Sequence, residues 1–171
     1  MLAPTIRAGL AACFLSAAST SAFGDIKVVF DEGAPKDRFT FTNTSDCSLK
    51  SAQLTLDLSA SQSGLVFDPT PGGAGVEVFQ PLQVVSGAAA LKTIPTVGDG
   101  DNQVALDIVE LASGESIAFT VDVDDTMGGR EITVSGSEIE GSRVLLSDGE
   151  KTTSGIIGSN AEASVPVKRC S

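Results

Sequence analysis

Apolar side chains recur at every second position through most of this chain, and that period of two is the pattern of a strand with one buried face. Ile26, Val28 and Phe30 alternate with Lys27, Val29 and Asp31. Phe39 and Phe41 lie between Arg38, Thr40 and Thr42, and Leu54, Leu56 and Leu58 between Thr55, Asp57 and Ser59. Val104, Leu106 and Ile108 repeat the pattern, as do Ile117, Phe119, Val121 and Val123, with Ile132 and Val134 after them. Further strands are expected over 143–146, 153–157 and 161–167. No stretch holds a 3.6-residue period for three turns, and Ala88–Leu91 has room for one helical turn at most. Turn chemistry separates the runs: Glu32-Gly33-Ala34-Pro35, Asn43-Thr44-Ser45-Asp46, Asp99-Gly100, Ser113-Gly114, Asp148-Gly149. Many short strands with frequent turns predict an all-β fold, an immunoglobulin-like β-sandwich in a single domain.

Residues 1–24 do not share this pattern. Arg7 precedes an apolar run from Ala8 to Ala18, and small residues follow to Ala22 and Gly24. This is the layout of a cleaved signal peptide, with the cut after Ala22 or Gly24, and its apolar run is too short to span a bilayer. The expected organisation is a signal peptide over 1–24 and a β-sandwich domain over 25–171, secreted or periplasmic. Leu10-Ala11-Ala12-Cys13 matches a lipidation pattern. However, the apolar stretch before Cys13 is too short and the run continues past it, so ordinary cleavage is expected. Asn43-Thr44-Ser45 fits a glycosylation sequon and is read as a turn. Two cysteines remain in the body, Cys47 and Cys170. An even number in an exported chain predicts one disulfide between them.

The chain carries 22 acidic residues against 11 basic ones and has no histidine, tyrosine or tryptophan. Only Arg7 of the charged residues lies in the leader, so the body sets ten basic against 22 acidic residues, a net charge of −12. Such a surface repels nucleic acid and anionic lipid, and no second apolar run approaches the length of a membrane span. The missing histidine removes Ser-His-Asp triads, Cys-His dyads and histidine-ligated metals. Six Phe and no other aromatic in the body leave no usual platform for stacking a sugar against paired catalytic carboxylates. No enzymatic activity is expected.

Two acidic clusters carry the remaining chemistry. The first is Asp99-Gly100-Asp101-Asn102-Gln103, where oxygens at alternate positions of a glycine turn can face one cation. It does not meet the EF-hand pattern. The second is Asp122-Val123-Asp124-Asp125-Thr126, at the end of a strong strand. The alternation puts Asp122 and Asp124 on the outward face. The expected calcium ligands are Asp99 and Asp101 on one arm and Asp122, Asp124 and Asp125 on the other. The two arms should meet at one end of the sandwich. Glu138 and Glu140 alternate as well and are read as an exposed edge.

Four segments extend the reading: Phe30-Asp-Glu-Gly-Ala-Pro-Lys-Asp-Arg-Phe39, Gly75-Val-Glu-Val-Phe-Gln80, Phe119-Thr-Val-Asp-Val-Asp-Asp-Thr126 and Arg130-Glu-Ile-Thr-Val-Ser-Gly136. Together they resemble small exported proteobacterial proteins labelled as similar to the sponge aggregation factor core protein. The resemblance implies an extracellular β-domain, adhesive and calcium-linked, with a protein or glycan partner or self-association. It assigns no catalytic residue. Two expectations follow. One is an exported non-catalytic binding or adhesion module stabilised by calcium. The other is a structural or interaction subunit of a larger exported assembly, with no metal requirement and with strand edges open to pairing.

Overall fold

The computed structural model describes residues 24–71, 79–127 and 133–167. The strands are β1 (Asp25–Asp31), β2 (Asp37–Asn43), β3 (Leu49–Asp57), β4 (Val66–Phe67), β5 (Gln83–Ser86), β6 (Gln103–Leu111), β7 (Ser116–Val121), β8 (Val123–Asp124), β9 (Arg143–Ser147), β10 (Thr152–Ile156) and β11 (Glu162–Pro166). A five-stranded sheet runs in the order β11-β1-β2-β7-β5, a four-stranded sheet β10-β9-β3-β6, and β4 with β8 forms a small third sheet. Every named strand pairing is antiparallel. The expected all-β sandwich is therefore present.

The alternation decides which side chains the two large sheets turn toward each other. Ile26, Val28 and Phe30 of β1 are buried with Phe39 and Phe41 of β2 and Ile117, Phe119 and Val121 of β7. Leu54, Leu56, Val104, Leu106, Ile108, Val144 and Leu146 from the four-stranded sheet join them in one core. Register lines up the aromatics: Phe30 is opposite Phe39, and Phe39 is opposite Phe119. Their ring centroids lie 5.1 and 5.3 Å apart, and Phe41 to Phe119 is 6.0 Å. Each such pair contributes about 0.5–1.5 kcal/mol beyond the burial of its area.

Chain crossings hold the two sheets together at both sides. On one side β10 and β11 belong to different sheets, and Thr153 Oγ1 donates to the Pro166 carbonyl at 2.8 Å. Gly155 is needed there, because a Cβ would stand 2.4 Å from the Ser164 carbonyl oxygen. On the other side β5 leads through a 3-10 turn, Ala88–Ala90, to Leu91, which bridges to Ile108 of β6. The single helical turn expected there is that 3-10 turn.

Three local expectations change. Val134 is buried, but it lies in irregular chain rather than in a strand, and Ile132 lies outside the described residues. The 138–140 segment is a turn, not an edge strand. Glu138 Oε2 accepts from the Ser135 amide at 2.6 Å and from its hydroxyl at 2.7 Å, while Ile139 is fully buried. The alternation of Glu138 and Glu140 reflects one apolar side chain pinned between two polar ones. The leader lies outside the described residues except for Gly24, and Cys170 lies outside them altogether.

Asn43 of the sequon is fully buried and fully bonded. Its Nδ2 donates to the carbonyls of Cys47 and Leu111 at 2.8 and 2.9 Å, and its Oδ1 accepts from the Ser45 amide and hydroxyl. This amide ties the end of β2 to the end of β6 in the opposite sheet and has no side-chain capacity left for a glycan. We predict that Asn43→Ala lowers unfolding free energy by about 2–4 kcal/mol, because several buried partners lose their bonds at once. Urea unfolding followed by far-UV circular dichroism measures it. A loss below about 1 kcal/mol would show that the buried amide is dispensable.

Candidate functional site

Three short segments meet at one end of the sandwich through backbone hydrogen bonds. The turn before β6 docks on β4: Phe67 N donates to the Asp101 carbonyl at 2.8 Å, and Gly100 N to the Phe67 carbonyl at 3.0 Å. β4 pairs with β8, with Val66 opposite Asp124 and Phe67 opposite Val123. Beyond them Asp68 N donates to the Asp122 carbonyl, Asp122 N to the Gln80 carbonyl, and Gln80 N to the Asp68 carbonyl, at 3.1–3.2 Å. The 99–103 turn and the 122–126 segment thus lie at the same end, as the sequence led us to expect, with β4 and Asp68 wedged between them.

The side chains that gather there differ from the expected set. Asp68 interacts with both Asp99 and Asp124, and Asp122 is repelled by Asp124 and Asp68. Asp37, the first residue of β2, joins from the large sheet, where it pairs with Val121 and is repelled by Asp122 and Asp124. Asp101 is turned to its own loop, its Oδ2 accepting from Gly98 N at 2.7 Å. Asp125 Oδ1 accepts from Met127 N at 3.1 Å, again a local turn bond. Of the five expected ligands, Asp99, Asp122 and Asp124 enter the cluster, while Asp101 and Asp125 serve turns.

Asp122 also departs from its expected outward, solvated place. It is only 5 % exposed, because the 68 and 80 segments cover the point where the chain passes from β7 to β8. Asp37 and Asp68 were not singled out from the sequence and are 2 % and 3 % exposed. For Asp37 a signal existed: it lies two and four residues before Phe39 and Phe41, on their buried face. For Asp68 none did, since an acid before a proline reads as a turn.

Electrostatics at this end are one-sided. Burial pushes the Asp37 carboxyl up to about 7, with Asp122 and Asp124 adding to the effect against hydrogen bonds from the Gly33 and Val123 amides. Burial likewise pushes Asp122 up to about 7, helped by Asp124 and Asp68. Asp68 is raised by burial and by Asp99, against a hydrogen bond with Asp124. The charged groups acting on these three are all carboxylates. The basic neighbours of Asp37 in sequence are turned elsewhere, Lys36 to Gln83 Oε1 and Arg38 to Thr40 Oγ1. Asp68 Oδ1 and Asp122 Oδ2 are buried without a hydrogen-bond partner. Among the described residues, no three acidic or cysteine side chains already stand arranged to hold a metal ion. Asp37, Asp68 and Asp122 therefore meet like charge that a proton or a cation would relieve.

At the opposite edge of the fold, Cys47 is engaged rather than free, while its expected partner Cys170 lies outside the described residues. Among the described residues no helix is long and apolar enough to cross a membrane.

No family model matches, and no curated protein matches. Among solved structures, a family GH18 chitinase from Chromobacterium violaceum aligns at 19 % identity over 78 % of this chain, with a TM-score of 0.34. The alignment spans 19 % of that chitinase chain. A likeness at that level carries no argument about fold or activity here.

The raised carboxyls predict a specific pH response. Asp37 and Asp122 hold a proton in the folded state up to about pH 7 but release it near 3.8 when unfolded. Their stabilising protonation is fully present below 3.8 and is lost as pH rises toward 7. Asp57 works in the opposite direction: burial raises its carboxyl, but Ser59, Gln103 and Arg143 hold it below its ordinary value. In chelator, the melting midpoint should fall between about pH 4 and pH 7 and then level off. Asp37→Asn should flatten that slope. A midpoint that rises steadily over this range would show that the acidic end does not hold protons.

Proposed function

We propose that the protein is an exported, non-catalytic binding or adhesion module whose acidic end is stabilised by calcium. The single observation that carries this reading is the meeting of the 99–103 and 122–126 segments around buried Asp68, whose acting charges are carboxylates. Calcium takes six to eight oxygen ligands in flexible geometry, which suits carboxylates and turn carbonyls on separate segments. The partner is a protein, a glycan or a second copy, in keeping with the resemblance to exported proteins labelled as aggregation-factor-like. The immunoglobulin-like plan is part of the proposal, supported by the passage of the chain between the packed sheets from β2 to β3 and from β6 to β7.

A metal-free structural subunit is the second reading. What favours it is that no ligand group for an ion stands ready-made among the described residues. In that case the acidic end would be held by protons and backbone bonds alone.

Export rests on the leader. Gly24 bears on the cut, because its carbonyl accepts from Val167 N at 3.1 Å and a Cβ on it would stand 2.2 Å from Ser45 Cα. A cut after Ala22 keeps this residue in the domain. The same contacts support the Cys47–Cys170 disulfide. Val167 is bonded to Gly24, Gly24 lies against Ser45, and the three residues from Val167 to Cys170 reach up to roughly 10 Å.

Two outcomes are expected. Millimolar calcium should raise the calorimetric melting midpoint over that in chelator by roughly 5–10 °C, the effect of about 2.7 kcal/mol of binding linkage. Equal midpoints would favour the metal-free subunit. Peptide mapping of protein from the periplasm should recover a Cys47–Cys170 linked pair, and its reduction should cost up to roughly 4–5 kcal/mol by the loop-entropy model. Recovery of both thiols unmodified would remove the disulfide.

A further inference from the structure

We propose that Asp68 and Asp122 are the central ligands of a calcium site at this end of the sandwich, with Asp99 and Asp124 flanking them and Asp101 and Asp125 outside it. The proposal rests on the reading of the acidic end as calcium-stabilised and goes beyond it by assigning the ligands: Asp68 is added to those the sequence suggested, and Asp101 and Asp125 are left out.

A gathering of acids would not carry this by itself. The further observation is that Asp68 Oδ1 and Asp122 Oδ2 are buried and have no hydrogen-bond partner, on residues only 3 % and 5 % exposed. A buried acceptor left without a donor is costly, and native structures leave few of them. These two belong to the same cluster, since Asp68 is among the charges acting on Asp122. Their backbones are joined directly by the Asp68 N to Asp122 carbonyl bond of 3.1 Å. No three acidic side chains among the described residues stand arranged around an ion, so a divalent cation would have to draw these carboxylates together, and in doing so it would satisfy both oxygens and cancel their repulsion.

Each flanking residue enters from a different segment. Asp99 reaches Asp68 from the turn before β6, and its carboxylate is held in place by the amide and hydroxyl of Thr70. Asp124 of β8 is hydrogen-bonded to Asp68, and its charge acts on Asp122. Ion capture would thus tie together the 99–103 turn, the segment after β4 and the β7–β8 passage. The donors are all oxygens, which selects a hard cation over zinc or copper. Carboxylates contributed by separate segments suit calcium's tolerance of irregular geometry better than magnesium's strict octahedron. Asp101 and Asp125 accept from the Gly98 and Met127 amides within their own turns and are not among the groups acting on Asp68 or Asp122, whereas Asp99, though bonded to Thr70, acts on Asp68 directly.

The test compares Asp68→Asn and Asp122→Asn with Asp101→Asn and Asp125→Asn, using calcium chloride titration by calorimetry and melting in calcium against chelator. Asn is nearly isosteric and removes a repelling charge. The first two variants should therefore melt in chelator at or above the wild-type midpoint, while their calcium affinity falls at least ten-fold and their calcium-induced shift disappears. Asp101→Asn and Asp125→Asn should keep wild-type calcium affinity within about two-fold. If wild type responds to calcium and the Asp68 and Asp122 variants respond equally well, this ligand assignment is wrong while calcium stabilisation stands. If wild type shows neither calcium heat nor shift, the calcium reading itself falls, and this proposal with it. If Asp68→Asn unfolds in chelator, Asp68→Glu, which keeps the charge, should restore calcium binding. Its failure to do so would overturn the assignment.

Discussion

The stacking of Phe39 between Phe30 and Phe119 sets the register on which the rest of the structure depends. β2 is the middle strand of the five-stranded sheet, and Phe39 lies opposite Phe30 on one side and Phe119 on the other. A slip of one residue would turn every inward side chain of β2 outward. With that register held, the two ends of β2 acquire defined neighbours. At one end Asn43 reaches the last residue of β6 and the Cys47 turn. At the other, Asp37 comes opposite Val121 and hence beside Asp122. The apolar core and the acidic end are consequences of one alignment.

That alignment makes the acidic end a region of conflict within a consistent fold. Everywhere else along β2, inward positions carry Phe or a fully bonded Asn; at its first position an acid is buried near two others. Natural sequences break such local rules mostly where function asks for it. The small β4–β8 sheet that covers the conflict is two residues long on each strand. Its Phe67 and Val123 side chains are buried in the core, and backbone bonds to the 98–102 turn and to Gln80 hold the chain around them. Charge at this end therefore acts on the chain just beyond these two short strands, which backbone bonds hold and where small free energies decide whether it stays closed.

Most strands were legible from alternation because their partners lie along whole faces. Ile26–Phe30, Leu54–Leu58 and Val104–Ile108 each declare an inward side without reference to any other segment. β4 was not legible, since Val66 and Phe67 are too few to show a period. Asp68 was lost with it, because its burial comes from Asp122 and Gln80, 54 and 12 residues away in sequence. Asp122 was placed outward by extending the β7 alternation past its end. The chain changes partner there, from β2 and β5 to β4, so the face rule no longer applies. The convergence of the two acidic segments was foreseen, but which carboxylates point together depends on turn bonds to Gly98 and Met127 that composition does not reveal.

The central claim is that the acidic end is loosened by its own charge and closed by calcium while the sandwich core stays as it is. Amide hydrogen exchange at neutral pH reads this most directly. The reporting amides are those of Phe67, Asp68 and Asp122, which hold the cover to Asp101, Asp122 and Gln80. Calcium should slow their exchange markedly relative to chelator, while amides of the buried core at Phe41 and Leu54 change far less. Exchange that is the same in calcium and in chelator, or that slows equally across the core, would contradict the account.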